Sequence, residues 1–304
     1  MRCQTSSRRR SFLLLALAAI VCLPVAAASA KDVSESLRIP DSDVTQIVTL
    51  NDGSTLVGRI IEISDTTVKF MTEMGEFTLE ISRIKEIKEV TAASFREGKY
   101  WFPNPNRTRL YLAPTGRSLR AGEGYFSSLL LFFPSVAFGI TDNISISGGM
   151  SIFPGVDFED QLFYITPKIG VNVAENVAIA GSAIIIRVSD FDDEDDDEKI
   201  VGAIYGMSTI GTDDISLTCG LGFGYVEDDI ADKPAVIVGG EWRFARRASF
   251  VSENFIFPEV DEPLISYGVR FFGEKIAVDL ALFNILGDDA VFPGIPLVGF
   301  VWNF

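Results

Sequence analysis

The sequence predicts an all-β protein, in which a small five-stranded barrel precedes a twelve-stranded antiparallel barrel that crosses a membrane. Three observations lead to this fold class. Over residues 107–304 no segment has helical periodicity, and apolar residues alternate with polar or small ones as they do in strands. The connections between these strands are alternately short and long. No apolar run in this part of the chain reaches the roughly 18–20 residues of a membrane-spanning helix, so strands have to make any crossing.

The first 30 residues have the pattern of a secretory signal peptide. Arginines at positions 8–10 precede an apolar stretch over 12–23, and small residues at 28–30 precede the expected cleavage. One alternative is an uncleaved anchor, for which the apolar stretch is short. A lipoprotein is disfavoured because Val21, rather than a small residue, stands before Cys22.

Removal of this segment changes the cysteine count and the charge of the mature chain. Only Cys219 remains, so no intrachain disulfide is expected. Four arginines and no acids leave with the signal, which takes the formal charge from −16 to −20. Nucleic acid is a poor partner for such an acidic chain, because both carry negative charge.

A small domain is predicted over residues 44–90, after a polar, flexible lead-in over 31–43. Five short strands fit between residues 46 and 87, and Gly58 falls inside the second, where a glycine commonly marks a bend. The stretch LNDGSTLVGRIIEISDTTVKFMTEMGEFTLEISRIKEI resembles the SH3-like or Sm-like small barrels of exported bacterial proteins. The resemblance implies a periplasmic module that is structural or that contacts an envelope protein or peptidoglycan.

Twelve strands are predicted after an aromatic linker over 91–106. In the clearest of them, Leu217, Cys219 and Leu221 alternate with Thr218 and Gly220. Apolar residues on one face and small or polar ones on the other are typical of a barrel with lipid outside and a polar lumen. The predicted strands are 107–113, 123–140, 144–153, 162–173, 177–188, 199–210, 215–226, 235–245, 248–257, 263–272, 276–285 and 295–304.

The connections support an even strand count. The short ones are 141–143, 174–176, 211–214, 246–247 and 273–275. The long ones are 114–122, 154–161, 189–198, 227–234, 258–262 and 286–294. Membrane barrels have short turns at the periplasmic end and longer loops outside, so this alternation places both ends of the barrel at the short-turn end.

The last strand has one apolar face, formed by Val298, Phe300, Trp302 and Phe304. It resembles the closing strand of bacterial outer-membrane barrels, in which a C-terminal Phe with apolar residues at every second position is usual. The arginine-rich stretch over 104–126 also resembles a segment of bacterial envelope proteins. These resemblances imply an outer-membrane location with outer-membrane lipid as partner, and a periplasmic small domain. The alternative is a soluble exported β protein that binds a small apolar ligand or an envelope partner, which needs apolar residues inside and polar ones outside.

The residue types exclude several classes of enzyme. The chain has no histidine, which removes Ser-His and Cys-His nucleophile pairs and the usual zinc sites. No cofactor motif is present, and none is expected. The sequence therefore favours a non-enzymatic role, either as a narrow passive channel or as a membrane anchor that displays the small domain.

Charged residues within the strands are predicted to face the lumen, because Arg or Lys on the lipid face costs roughly 2–4 kcal/mol near the bilayer centre. The candidates are Lys168, Glu241, Arg243, Arg270 and Asp279, with Glu253 joining them if its strand is bulged. Arg107 and Arg109 share one strand face and are expected in the lumen or at its rim. These groups either close the lumen with ion pairs or line a narrow pore.

An acidic run occupies residues 189–198 on a predicted outer loop. Such a run is typically solvated and extended by self-repulsion. Divalent cations are the functional alternative, because they take oxygen ligands. The candidate ligands are Asp192, Asp193, Asp195 and Asp196, whose spacing matches no defined calcium loop.

Overall fold

The computed structural model describes residues 37–91, 94–96, 98–189, 198–258, 262–286 and 292–304. The chain divides into two compact units, with the boundary between Trp101 and Phe102. The predicted signal peptide, residues 31–36 of the predicted lead-in and residues 190–197 of the acidic run lie outside the described residues. Among the described residues, no helix is long and apolar enough to cross a membrane.

The first unit is a five-stranded antiparallel sheet with the order β4-β3-β2-β1-β5. Its strands are β1 (Val44–Leu50), β2 (Thr55–Ile63), β3 (Thr67–Thr72), β4 (Gly75–Glu80) and β5 (Ile84–Thr91). Val48, Ile60 and Phe70 are buried at the centre of its apolar core. All five predicted strands are confirmed, and the assignment to the SH3-like or Sm-like class stays a prediction.

Two positions in this unit show why the sequence folds as it does. A Cβ at Gly58 would lie 2.0 Å from the carbonyl oxygen of Met71, so strand β2 needs a glycine there, close to the irregular pairing with β3 between Ile60 and Glu62. In the turn before β2, Gly53 has a φ of +85°. Hydrogen bonds from Ser54 to the carboxylate of Asp52 close this turn and hold the pKa of Asp52 below its usual range.

A short two-stranded ribbon, β6 (Phe95–Arg96) and β7 (Lys99–Tyr100), follows the sheet in sequence.

The second unit is a closed antiparallel barrel of twelve strands, as predicted. Its strands are β8 (Gly124–Leu129), β9 (Phe133–Gly139), β10 (Ile144–Met150), β11 (Phe163–Ala174), β12 (Val177–Ser189), β13 (Glu198–Gly211), β14 (Ile215–Val226), β16 (Ala235–Ala245), β17 (Ala248–Ile256), β18 (Leu264–Phe272), β19 (Ile276–Ile285) and β20 (Ile295–Asn303). Strand β15 (Asp229–Ile230) is a two-residue addition that pairs with the end of β14. Pairing of β20 with β8, which sets Trp302 opposite Phe126, closes the ring.

The count of twelve arises from a different set of strands than the sequence predicted. The prediction of a strand over 107–113 is wrong, because these residues form turns with a single isolated bridge. The prediction of one strand over 123–140 is also wrong, because that stretch is the hairpin β8–β9. Its turn contains Leu130 and Leu131, which have φ angles of 51° and 67°. Such angles are unusual outside glycine, and nothing in this apolar run signals a turn.

The remaining connections follow the predicted alternation and define two ends of the barrel. The short-turn end carries the turns β9–β10, β11–β12, β13–β14, β16–β17 and β18–β19. The long-loop end carries the other connections. The barrel begins with Gly124 and ends with Asn303 at the short-turn end, where Gly124 and Phe304 exchange backbone hydrogen bonds of 2.9 Å. The predicted long loop over 114–122 is wrong, because these residues belong to a segment that lies in the lumen.

The outer face of the barrel wall is apolar, and the inner face combines small or polar side chains with apolar ones such as Val251, Ile237 and Leu297, which pack against residues 110–113. On β14, Leu217 and Leu221 are 53% and 54% exposed, whereas Thr218 between them is fully buried. On β20, Phe300 and Trp302 face outward, and Val301 faces inward. The polarity matches the predicted membrane barrel and is the reverse of the soluble alternative, which needs its apolar residues inside.

Candidate functional site

Residues 102–122, here called the plug segment, enter the lumen of the barrel and return from it. The segment starts at the short-turn end, where the ring of Phe102 packs edge-on against Phe272 of β18. It reverses direction in a tight turn, with a hydrogen bond of 2.8 Å from Leu110 N to Ala113 O. It then runs back to the short-turn end and continues into β8. The plug segment is thus a hairpin-like finger that belongs to the same chain as the wall around it.

The turn of the plug segment is bound by one carboxylate of the wall. Tyr111 N and Leu112 N donate to Oε2 of Glu253 at 2.6 and 3.0 Å, and Ala113 N donates to Oε1 at 3.0 Å. Glu253 is 0% exposed, so its charge is compensated by these backbone dipoles instead of by water. Successive N–H groups of a tight turn point to the same side, and for this reason one carboxylate can accept all three.

A second group of wall charges holds the limb that enters the lumen. Arg270 donates to Asp279 through Nε at 2.6 Å and to Glu241 through Nη1 at 3.0 Å. Its Nη2 donates to the carbonyl oxygen of Leu110 at 2.7 Å. Arg109 of the plug segment donates to Asp279 at 3.0 Å. Two cations and two anions thus form one buried cluster, to which both the wall and the plug segment contribute.

Neutral groups extend this cluster along the plug segment. Asn104 Nδ2 donates to Oε1 of Glu241 at 2.7 Å. Tyr111 Oη donates to the carbonyl oxygen of Val251 at 2.9 Å. A Cβ at Gly239 of the wall would lie 2.5 Å from Leu110 Cδ1, so a small residue on β16 makes room for this leucine.

The ends of the plug segment are bound near the short-turn end. Arg243 donates to the carbonyl oxygen of Phe102 at 2.8 Å and to Asp214 at 3.2 Å. On the returning limb, Lys168 donates to the carbonyl oxygen of Arg117. Gly116 N donates to Oγ1 of Thr209 at 2.8 Å. Attachments at the entry, the turn and the return hold the whole finger against the wall.

The Gly116 contact predicts a measurable effect. We expect Gly116→Ala to destabilise the barrel by about 1–3 kcal/mol, the usual cost of overpacking. The reason is that a Cβ there would lie 2.3 Å from the carbonyl oxygen of Ala178. Gly181→Ala is the matched control, because a Cβ at Gly181 meets no atom within 4 Å. Denaturant titration in lipid vesicles compares the two variants, and equal stabilities would contradict the tight fit.

The structure places the eight charged candidates as follows. The six strand residues Lys168, Glu241, Arg243, Glu253, Arg270 and Asp279 are all buried inside the barrel. Glu253 needs no bulge for this, since its pairing with Gly239 is regular and the bulge of that strand pair lies at Arg243. Arg109 joins the buried cluster. Arg107 lies at the short-turn mouth, 3.8 Å from Glu123.

The candidate cation ligands of the acidic run, Asp192, Asp193, Asp195 and Asp196, lie outside the described residues. Within the described part of the chain, no group of three or more acidic or cysteine side chains is placed to hold a metal ion.

The plug segment itself was missed by sequence reasoning. Proline gave no signal for it, because Pro103, Pro105 and Pro114 lie outside the predicted strand over 107–113, and the wall strands β9, β11 and β20 each contain a proline. The alternation of Arg107, Arg109 and Tyr111 pointed instead to a strand.

No protein-family model matches the chain, and no curated protein matches it. Among solved structures, the KdgM porin in complex with disordered oligogalacturonate is similar with a TM-score of 0.41 and 6% identity, over 60% of this chain and 95% of that one. Omp33 of Acinetobacter baumannii is similar with a TM-score of 0.34 and 9% identity, over 60% and 95%. The toluene transporter TbuX of Ralstonia pickettii is similar with a TM-score of 0.32 and 10% identity, over 86% of each chain.

Proposed function

We propose that the chain is a non-enzymatic outer-membrane barrel whose lumen is closed by its own plug segment, and that it anchors the five-stranded domain in the periplasm. The observation that carries the proposal is the buried cluster of Arg109, Asp279, Arg270 and Glu241, which joins the plug segment to the wall.

The apolar outer face supports the membrane location. Side chains such as Leu217, Leu221 and Phe300 stand exposed around the wall, whereas the charges of β16, β18 and β19 point inward. In water this face would leave a large apolar surface uncovered, and lipid covers it at no such cost. The closed ring also satisfies the backbone groups that an open sheet edge would leave unpaired in lipid.

The burial of the lumen charges supports a closed lumen over a narrow passive channel. Arg270 and Glu253 are both 0% exposed, and Asp279 is 1% exposed. Charges that line a conducting path are hydrated or exchange their partners with passing ions. Here Glu253 accepts three hydrogen bonds from the plug segment and Arg270 donates to the carbonyl oxygen of Leu110 in it, so these wall charges are bound to protein groups instead of water.

The short-turn end supports the orientation. Short turns face the periplasm in outer-membrane barrels, and this barrel begins and ends at that end. The domain that precedes the barrel in sequence is therefore assigned to the periplasm, where it contacts an envelope protein or peptidoglycan.

Reconstitution of the mature chain tests this function. We expect folding that depends on lipid, a gel mobility that changes on boiling, and no discrete current steps in a planar bilayer. Discrete current steps from the unmodified chain would contradict the closed lumen and support the narrow passive channel as the function. A chain that stays soluble and folds without lipid would overturn the membrane location.

A further inference from the structure

A polar cavity of about 450 Å³ opens at the short-turn end, between the returning limb of the plug segment and two short turns of the wall. Its volume lies in the range of small-molecule sites, roughly 300–1,000 Å³. The plug segment contributes Arg107, Arg117 and Arg120, strand β11 contributes Asn172, and the turn β11–β12 contributes Asn176. None of the buried groups that hold the turn of the plug segment lines it.

The three guanidinium groups differ in how they are held. Arg117 is fixed, because its Nη2 donates to the carbonyl oxygens of Gly211 and Thr212 at 2.7 and 2.9 Å. Among the described residues, the single ion pair of Arg107 is with Glu123, at 3.8 Å. The guanidinium of Arg120 has no hydrogen bond or ion pair among the described residues. The guanidinium groups of Arg107 and Arg120 can therefore donate to a ligand. The guanidinium of Arg117 is held in a fixed position beside them.

The other polar groups of the cavity define what would fit. The side-chain amides of Asn172 and Asn176 have no hydrogen bond within the described part of the chain, so they add neutral donors. Glu175 and Asp213 are the two acids of the lining, against three arginines, and Asp213 lies 3.7 Å from Nη1 of Arg117. Three arginines less two carboxylates give the lining a net charge of +1, in a chain whose formal net charge is −16. Such a concentration of cations favours an anion.

We propose that this cavity binds a phosphate-bearing small solute. Guanidinium forks match the oxygens of phosphate bidentately, and a phosphate group accepts from several forks at once. A carboxylate has only two oxygens and would leave part of this donor set unused. The site goes beyond the anchoring role and does not depend on the small domain, but it needs the plug segment in place, because that segment supplies its three arginines.

The test uses the mature chain folded in detergent micelles, with inorganic phosphate titrated calorimetrically at low salt. We expect saturable binding that the double variant Arg107→Gln/Arg120→Gln weakens by about ten-fold or more, since two charge-assisted contacts are lost. Arg247→Gln is the matched control, because Arg247 lies in the short turn β16–β17 at the same end and does not line the cavity. It is expected to bind within about two-fold of the unmodified chain, because Arg247 does not line the cavity and therefore makes no direct contact with a phosphate bound there.

Two further comparisons make the site falsifiable. Glu175→Gln removes an acid from the lining and is expected to tighten phosphate binding, and unchanged or weaker binding would contradict the location. Acetate at the same concentrations is expected to bind more weakly, and equal affinity would overturn the phosphate class. Absence of saturable phosphate binding, or an equal loss in Arg247→Gln, would overturn the site. A boiling-dependent gel mobility shows that each variant is folded, which separates failure of this site from failure of the barrel.

Discussion

Arg270→Met is expected to reduce the free energy of unfolding of the barrel by about 3–5 kcal/mol, the cost of leaving buried charges without their partner. The variant removes the donor to Asp279, to Glu241 and to the carbonyl oxygen of Leu110 in one step. Methionine fills a similar volume, so the loss is electrostatic more than steric. Reversible denaturant titration in phospholipid vesicles, followed by tryptophan fluorescence, measures the change.

A double variant tests whether the unpaired buried charges cause the loss of stability in Arg270→Met. Adding Glu241→Gln to Arg270→Met removes one of the carboxylates that has lost its partner, and it is expected to recover part of the stability. The same Glu241→Gln substitution alone is expected to destabilise, so the two effects are not additive. Arg247→Met is the control for loss of an arginine elsewhere in the barrel. If Arg270→Met were as stable as Arg247→Met, the buried cluster would not be what holds the plug segment.

Replacement of residues 104–119 by a flexible glycine-serine linker of equal length is expected to convert a barrel that conducts no ions into one that does. The substitution removes the turn that Glu253 binds and the side chains of Asn104 and Arg109, so water enters between the remaining wall charges. Single-channel recording should show discrete steps that the unmodified chain lacks. Selectivity should be weak, because the wall then presents three cations and three anions. These are Lys168, Arg243, Arg270, Glu241, Glu253 and Asp279.

Deletion of residues 37–91 is the control for this experiment. It removes the five-stranded sheet and leaves the plug segment in place, so the barrel should still conduct no ions. A linker variant that folds, shifts on boiling and conducts nothing would mean that the wall closes the lumen without the plug segment. Conduction by the deletion variant would assign closure to the small domain.

The wall of the barrel was predictable because a strand has a period of two. The alternation of Leu217, Thr218 and Cys219 fixes which face meets lipid, and the same rule places Arg270 and Asp279 inside. The identity of the strands was less predictable. The turn β8–β9 is made of Leu130, Leu131 and Phe132, which carry none of the usual turn chemistry.

The filled lumen was not predictable, because its contacts join residues far apart in the chain. Tyr111 and Glu253 are separated by 142 positions, and Arg109 and Asp279 by 170. Local pattern shows that Glu253 is charged and within a strand, but the three N–H groups that bind it come from a turn with no regular structure. The period-two alternation predicts the strands of the wall, whereas the closure of the lumen depends on contacts between residues that are far apart in the sequence.

The hairpin β8–β9 has a consequence for the surrounding bilayer. Strand β8 has 6 residues and β9 has 7, whereas β12 and β13 have 13 and 14. At about 3.4 Å per residue, a six-residue strand spans about 20 Å, less than the roughly 30 Å of a bilayer core. Its turn therefore ends among the acyl chains, and Leu131 at the tip is accordingly apolar and 75% exposed. The barrel is shorter on one side than on the other, so the bilayer around it should be thinner beside this hairpin, and the protein should prefer the thinner regions of its membrane.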